Sequence, residues 1–163
     1  MKRIARFEKV SAAQFSADWA GENAAQLYAD IRLPRRATAG SAGYDFFAPD
    51  DIQLAPGEAC TIPTGIRVLI QPGWVLKIYP RSGLGFKYRL QLNNTVGIID
   101  SDYAASDNEG HIFIKLMNDS RQGKTLTVKK GEGFAQGIFV EYGITCDDEA
   151  CAVRNGGFGS TTV

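Results

Sequence analysis

Along most of the chain, apolar and polar positions alternate with a period of two. Ile66, Val68 and Ile70 alternate with Arg67, Leu69 and Gln71, and Trp74, Leu76 and Ile78 with Val75, Lys77 and Tyr79. Ile112, Ile114 and Leu116 alternate with Phe113, Lys115 and Met117, and Leu126 and Val128 continue the pattern. This period places one side of each strand on a core and the other outside it. Pro56-Gly57, Pro72-Gly73, Gly123 and Gly131 punctuate the runs. Many short strands at close spacing predict an all-β, antiparallel sandwich or barrel. Residues 1–10 alternate more weakly and are expected to form a first strand.

Two stretches depart from the strand pattern. From Ser11 to Ala29, Phe15, Trp19 and Leu27 recur at helical intervals, and Ser11-Ala-Ala-Gln14 fits a capping box. Gly21 is expected to break or kink this helix. The segment carries no obvious chemistry and reads as an appendage packed on the β body. At the other end, residues 147–163 begin acidic and finish in Gly156-Gly157-Phe158-Gly159-Ser160-Thr161. So much glycine predicts a flexible tail rather than an element.

A chain of 163 residues is long enough to bury a real core and is expected to be one domain, residues 1–163. Eighteen basic side chains balance eighteen acidic ones, which argues against attachment to nucleic acid or membrane by bulk charge. A local cationic site for a phosphorylated small molecule stays open. No stretch approaches the ~20 apolar residues of a membrane span. The basic N-terminus has no apolar core behind it, so no signal peptide is expected. Cys60, Cys146 and Cys151 are odd in number and lack CxxC spacing. They argue against a disulfide framework or zinc site and for a reducing cytoplasm. The lone histidine, His111, stands where a strand begins and reads as an ordinary strand residue.

Chemistry concentrates in five places. Val96-Gly-Ile-Ile99 is an apolar run that delivers Asp100, Ser101, Asp102 and Tyr103 at its end. Gly97 inside it lets a ligand or another backbone come close. Asp45, in Gly43-Tyr-Asp-Phe-Phe47, puts a carboxylate in an apolar strand, where it needs a partner, water or a metal's hydration shell. Pro80-Arg81-Ser82-Gly83-Leu84 follows a strong strand and offers a guanidinium, a hydroxyl and glycine amides to a phosphate. Gln136 in Gly131-to-Gln136 is a neutral donor and acceptor. In the tail, Arg154, Phe158, Ser160 and Thr161 combine a cation, a ring and two hydroxyls. Phe158 is suited to stacking on a base, worth about 1–3 kcal/mol, with Arg154, Ser160 and Thr161 holding phosphates. Each cluster alone also has a bland reading: a solvated turn, a buried Asp bonded to backbone, a solvent-facing Gln, a disordered terminus.

Taken in order, Gly43-Tyr-Asp45, Pro80-to-Leu84, Gly97-to-Tyr103, Gly131-to-Gln136 and Gly156-to-Thr161 resemble the five motifs of the trimeric deoxyuridine triphosphatase (dUTPase) family. The resemblance runs from about Leu33 to Thr161, and its style is similar to versions from Gram-positive bacteria and their phages. It implies a jelly-roll-like β-barrel, a homotrimer whose shared sites draw on all three chains, and a tail, 147–163, that closes over the active site. It implies Mg²⁺-dependent hydrolysis of dUTP to dUMP and pyrophosphate, which keeps uracil out of DNA and supplies dUMP.

Carried over residue by residue, Asp100 would be the general base for the water that attacks the α-phosphorus. Asp45 would touch the magnesium through its waters, without a cage of protein ligands. Arg81, Ser82, Gly83 and Gln136 would cradle phosphates. Asn94 and the backbone near Gly97 and Ile99 would read the uracil edge, and Tyr103 would pack beneath the deoxyribose. Phe158 would cover the base, with Arg154, Gly159, Ser160 and Thr161 closing the tail. Three departures stand out. Glu132-Gly133 replaces the usual Asp and Arg of the fourth motif, Arg154 stands one residue nearer Phe158 than in many relatives, and residues 104–110 form a longer turn. The helical insert 11–29 also lies outside the common core. Two competing readings are a dCTP deaminase sharing the fold, which needs a glutamate at the base, and a non-catalytic regulatory protein on the same scaffold.

Overall fold

The computed structural model describes residues 2–152 and 154. Twelve strands carry the fold: β1 (Ala5–Lys9), β2 (Arg35–Arg36), β3 (Tyr44–Phe47), β4 (Ile52–Leu54), β5 (Ala59–Pro63), β6 (Ile66–Ile70), β7 (Trp74–Pro80), β8 (Leu90–Leu92), β9 (Gly97–Ile99), β10 (Phe113–Asn118), β11 (Leu126–Val128) and β12 (Gly133–Glu141). Helices α1 (Ala12–Asp18) and α2 (Ala24–Asp30) precede β2, α3 (Ser82–Tyr88) follows β7, and a 3-10 turn spans Tyr103–Ala105. The described strands pair antiparallel in four sheets rather than one closed barrel: β1-β6, β5-β10-β8, β11-β4, and the five-stranded β2-β3-β12-β7-β9.

The alternation places the core as expected. Ile66, Val68 and Ile70 are buried on β6, and Ile114 and Leu116 on β10. Asn118 occupies the next inward position of β10 and is buried too. Its amide donates to the carbonyls of Leu54 (2.8 Å) and Lys124 (2.9 Å), so the polar group is satisfied. On β7, Leu76 and Ile78 are buried, and Val75 on the opposite face of the strand is buried too.

The predicted long helix is two short ones, with Gly21 in the turn between them. The capping box is half formed. Ser11 Oγ accepts from Gln14 N–H (3.1 Å), but the Gln14 side chain turns forward to Asp18 (2.8 Å) instead of back to Ser11. Glu109 takes that place, accepting from Ser11 N–H at 2.7 Å and from its hydroxyl at 2.6 Å. Phe15 is fully buried and packs on Trp19, Tyr28 and His111, and Leu27 is buried beside them. The Tyr28 hydroxyl donates to Val10 O and Lys9 Nζ to Tyr28 O, which ties α2 to the end of β1. The insert is therefore part of the core, where removal of a ring such as Phe15 costs about 3–5 kcal/mol.

Candidate functional site

Asp45 sits on β3 opposite Arg35 of β2 on one side and Gln136 of β12 on the other. Its carboxylate is mostly buried and lies 3.2 Å from Arg81 Nε. Arg81 leaves the end of β7 and donates through Nη1 to Gly133 O (3.1 Å), while the Gln136 amide donates to Pro80 O (3.1 Å). Asp45, Arg81 and Gln136 thus meet at one place, and Gln136 does not simply face solvent. Arg81, Ser82 and Gln136 line a groove of about 560 Å³ with Tyr79, Phe86 and Leu90.

Two glycines make this cluster possible. A Cβ on Gly133 would stand 2.6 Å from Arg81 Nη1, and one on Gly43 would stand 2.7 Å from Gln136 Oε1. The departure in the fourth motif follows from that packing. Gly133 leaves room for the Arg81 guanidinium across the strand. Glu132 closes the preceding turn, its Oε2 accepting from Lys129 N–H at 2.8 Å. Ser82 and Gly83 were expected in a loop. They form instead the exposed first turn of α3, whose leading N–H groups have no acceptor within the helix and face outward.

The second cluster is built on the β8–β9 hairpin. Thr95 takes a left-handed conformation (φ 70°) and donates to Leu92 O, which turns the chain back at Asn94. Asn94, Gly97, Ile99, Asp100, Tyr103, Phe113 and Arg154 line one pocket of about 240 Å³. Gly97 is buried, and a Cβ there would meet Ile78 Cβ at 3.0 Å. The close approach that this glycine permits is therefore that of β7. Tyr103 is buried, donates its hydroxyl to His111 O (2.8 Å) and accepts from Asn108 Nδ2 (3.0 Å). Burial pushes its phenol above the usual value. Arg154 pairs with Asp100 (Nη2 to Oδ2, 2.5 Å) and Asp102 (Nε to Oδ1, 2.9 Å) of its own chain. Phe158, Gly159, Ser160 and Thr161 lie outside the described residues.

The two clusters stand apart. On the antiparallel β7–β9 ladder, Ile78 opposes Gly97 and Leu76 opposes Ile99. Asp100 therefore leaves β9 beside Leu76, while Arg81 leaves β7 beyond Pro80. From Leu76 to Arg81 the strand runs about 17 Å at ~3.3 Å per residue. One chain presents the Arg81 cluster and the Asp100 cluster toward opposite ends of the same strand.

A buried pair beside the second cluster was missed in the sequence. His111 is not an ordinary strand residue: it precedes β10 and is fully buried. Its Nε2 accepts from Gly65 N–H (2.7 Å), so Nδ1 carries the proton and donates to Asp18 Oδ2 at 2.6 Å. Burial lowers its pKa below the usual 6.5, against the opposing pull of the Asp18 hydrogen bond and the charges of Asp18 and Glu109. The turn after Tyr103 is likewise more than surface elaboration, since Ser106 and Gly110 are buried. Asp18 lies 93 residues from His111, so no local signal links them. The only hint was the position of Asp18, one helical turn after Gln14.

Comparison with known proteins gives a consistent result. The dUTPase family model matches residues 29–162. The deoxyuridine 5'-triphosphate nucleotidohydrolase of Lactococcus lactis subsp. lactis is 43% identical over 136 residues, covering 82% of this chain and 89% of that protein. The crystal structure of dUTPase from Streptococcus mutans superposes with a TM-score of 0.65 at 34% identity, covering 85% of this chain and 97% of that one. The dUTPase from phage phi11 of S. aureus shares the fold at a TM-score of 0.65 and 23% identity, covering 91% of this chain and 96% of its own.

Proposed function

The chain belongs to the dUTPase family, and from that premise we propose how it hydrolyses dUTP to dUMP and pyrophosphate. The observation that carries the reading is the single pocket shared by Asn94, Gly97, Ile99, Asp100 and Tyr103. The hairpin reads uracil with the Asn94 side chain and the backbone at Gly97 and Ile99. Cytosine presents the reverse donor and acceptor pattern and leaves these groups unpaired, which disfavours it strongly. The Tyr103 ring supports the deoxyribose and leaves no room for a 2′-hydroxyl. Asp100 orients one water and takes its proton as the water attacks the α-phosphorus in line.

Arg81, Ser82, Gly83 and Gln136 hold the phosphate chain. They do so from a second subunit, because about 17 Å of strand separates them from Asp100 within one chain. A homotrimer with shared sites meets that requirement. When substrate binds, Arg154 exchanges its carboxylate partners for phosphate oxygens, which frees Asp100 to hold water. The tail then closes, with Phe158 over the uracil and Gly159, Ser160 and Thr161 on the phosphates.

The donor set suits Mg²⁺ held chiefly by water and substrate oxygens. Among the described residues no three His, Cys, Asp or Glu side chains gather, and the Asp45 carboxylate is paired with Arg81, which lines the groove. Bound there, Mg²⁺ would supply neutralisation of the triphosphate charge. Asp45 would hold it through water. The described cysteines are all free, which fits a reducing compartment such as the cytoplasm. No helix among the described residues is long and apolar enough to cross a membrane.

The test is pyrophosphate release with Mg²⁺ from dUTP, dCTP, dTTP and UTP in parallel. Release from dUTP alone is expected. Ammonia from dCTP would establish the deaminase reading, and absence of release from dUTP would overturn the hydrolase.

A further inference from the structure

The insert that precedes β2 is tethered to the site at both ends of α1. Its cap residue, Ser11, donates twice to Glu109, and its last residue, Asp18, accepts from His111. Glu109 and His111 flank Gly110 at the end of the turn that begins at Tyr103. Glu109 and Gly110 both have positive φ (58° and 72°), and a Cβ on Gly110 would stand 2.6 Å from Ala104 Cα. The turn is closed tightly on itself and has little freedom to adjust. Tyr103 hangs from its far end: the hydroxyl donates to the His111 carbonyl and accepts from Asn108. The His111 ring is pinned through both nitrogens, by Gly65 on the β5–β6 connection and by Asp18 on α1. The carbonyl that receives the Tyr103 hydroxyl belongs to this pinned residue.

We infer that Asp18 and His111 are positioning residues for Tyr103, and that the insert sets the depth of the sugar pocket and thereby the preference for deoxyribose over ribose. The inference rests on the reading of Tyr103 as the residue beneath the sugar. Neither Asp18 nor His111 lines the pocket; they act through the carbonyl of His111 and the turn between Tyr103 and Gly110. Loss of the Asp18 tether leaves the His111 ring held by Gly65 alone, loosens the backbone at His111 and shifts the carbonyl that holds the tyrosine hydroxyl. A shift of that kind near a reacting site costs up to about a hundredfold in rate.

The experiment compares Asp18→Ala, Asp18→Asn and Tyr103→Ala with wild type by the ratio of kcat/KM for dUTP to that for UTP, with thermal unfolding measured on each. An Asn at 18 offers an oxygen to the His111 Nδ1–H and is expected to keep the wild-type ratio. Asp18→Ala is expected to lower it by about tenfold or more, chiefly by admitting UTP. An Asp18→Ala enzyme that unfolds at lower temperature yet keeps its ratio overturns the inference and leaves Asp18 a purely structural residue. A Tyr103→Ala enzyme that keeps the ratio overturns the sugar reading itself, which is a different failure. Should Asp18→Ala not fold, Glu109→Ala, which removes both hydrogen bonds from Ser11, carries the same comparison at the second tether: a lowered ratio supports the inference, and an unchanged one overturns it.

Discussion

Subunit complementation tests the division of the site most directly. On the proposed mechanism, Asp100→Asn removes the base and Arg81→Ala a guanidinium on the phosphate side, so each variant homotrimer alone is expected to be nearly inactive. Asp100 leaves β9 beside Leu76 and Arg81 leaves β7 beyond Pro80, about 17 Å apart along β7 in one chain, further than one catalytic water and the phosphate it attacks can bridge. On the proposed mechanism, each site takes Asp100 from one subunit and Arg81 from another. In trimers assembled at random from equal amounts of the two variants, the Asp100 donor carries its native carboxylate half the time. The Arg81 donor is intact half the time, independently. About one quarter of the sites regain both groups, so the mixture should recover about one quarter of wild-type turnover. The assay is pyrophosphate release from dUTP by doubly tagged trimers purified after co-expression. Mixtures that stay as inactive as the parents would refute the reasoning, because residues acting within one chain are never both intact in either variant.

Three further outcomes follow from the same geometry. Asp100→Asn should keep dUTP binding, measured by calorimetry, while losing about 10²-fold or more in turnover; surviving turnover would remove Asp100 as the base. Deletion after Arg154 should abolish most turnover and leave the trimer intact on size-exclusion chromatography, whereas loss of the trimer would make the tail structural. The third concerns acid. The His111 pKa is depressed in the folded state by burial, so between that value and 6.5 the unfolded chain binds a proton that the folded one does not. Stability is therefore fully present above pH 6.5 and falls as the pH drops below it. Urea midpoints should decline over that window in wild type, with Asp18 and Glu109 facing the ring, and His111→Gln should flatten the decline.

Several parts of this molecule are legible in the residues alone, and the rest are not for identifiable reasons. The strands β6, β7 and β10 announce themselves because each packs one face on the core, and the period of two is the direct imprint of that burial. Gly21 falls in the break between α1 and α2 as expected, since glycine inside a helix costs conformational entropy. Helix α3 was hidden. Its sequence, SGLGFKY, contains two glycines and follows Pro80 and Arg81, so local propensity favours a turn. Packing decides otherwise, with Tyr88 buried and Leu84 against the core. Glu132-Gly133 looked like a defect in a motif. The reason for Gly133 is a guanidinium arriving from position 81, and one-dimensional spacing carries no trace of that approach.

The packing of the Asp100 hairpin supports the proposed division of the site between chains. Its ladder with β7 is fixed by Gly97, where a Cβ would already press Ile78 at 3.0 Å. A slip of one residue would turn Ile98, now half exposed, inward and expel Gly97 and Ile99. The hairpin therefore cannot slide along β7 to bring Asp100 toward Arg81. Nor can Arg81 move the other way, because it is held by Asp45 and by the Gly133 carbonyl, both on strands of the same sheet. A sheet rigid at both points keeps Asp100 and Arg81 at opposite ends. A second copy placed against the first then brings unlike ends together with no rearrangement within either chain. On this argument Gly97→Ala acts on the shared site without touching substrate. The methyl group pushes the hairpin off β7 and displaces Asn94 and Asp100 together, so KM should rise and kcat should fall in the same variant. A change confined to stability, with both constants retained, would show that the hairpin adjusts more freely than its packing allows.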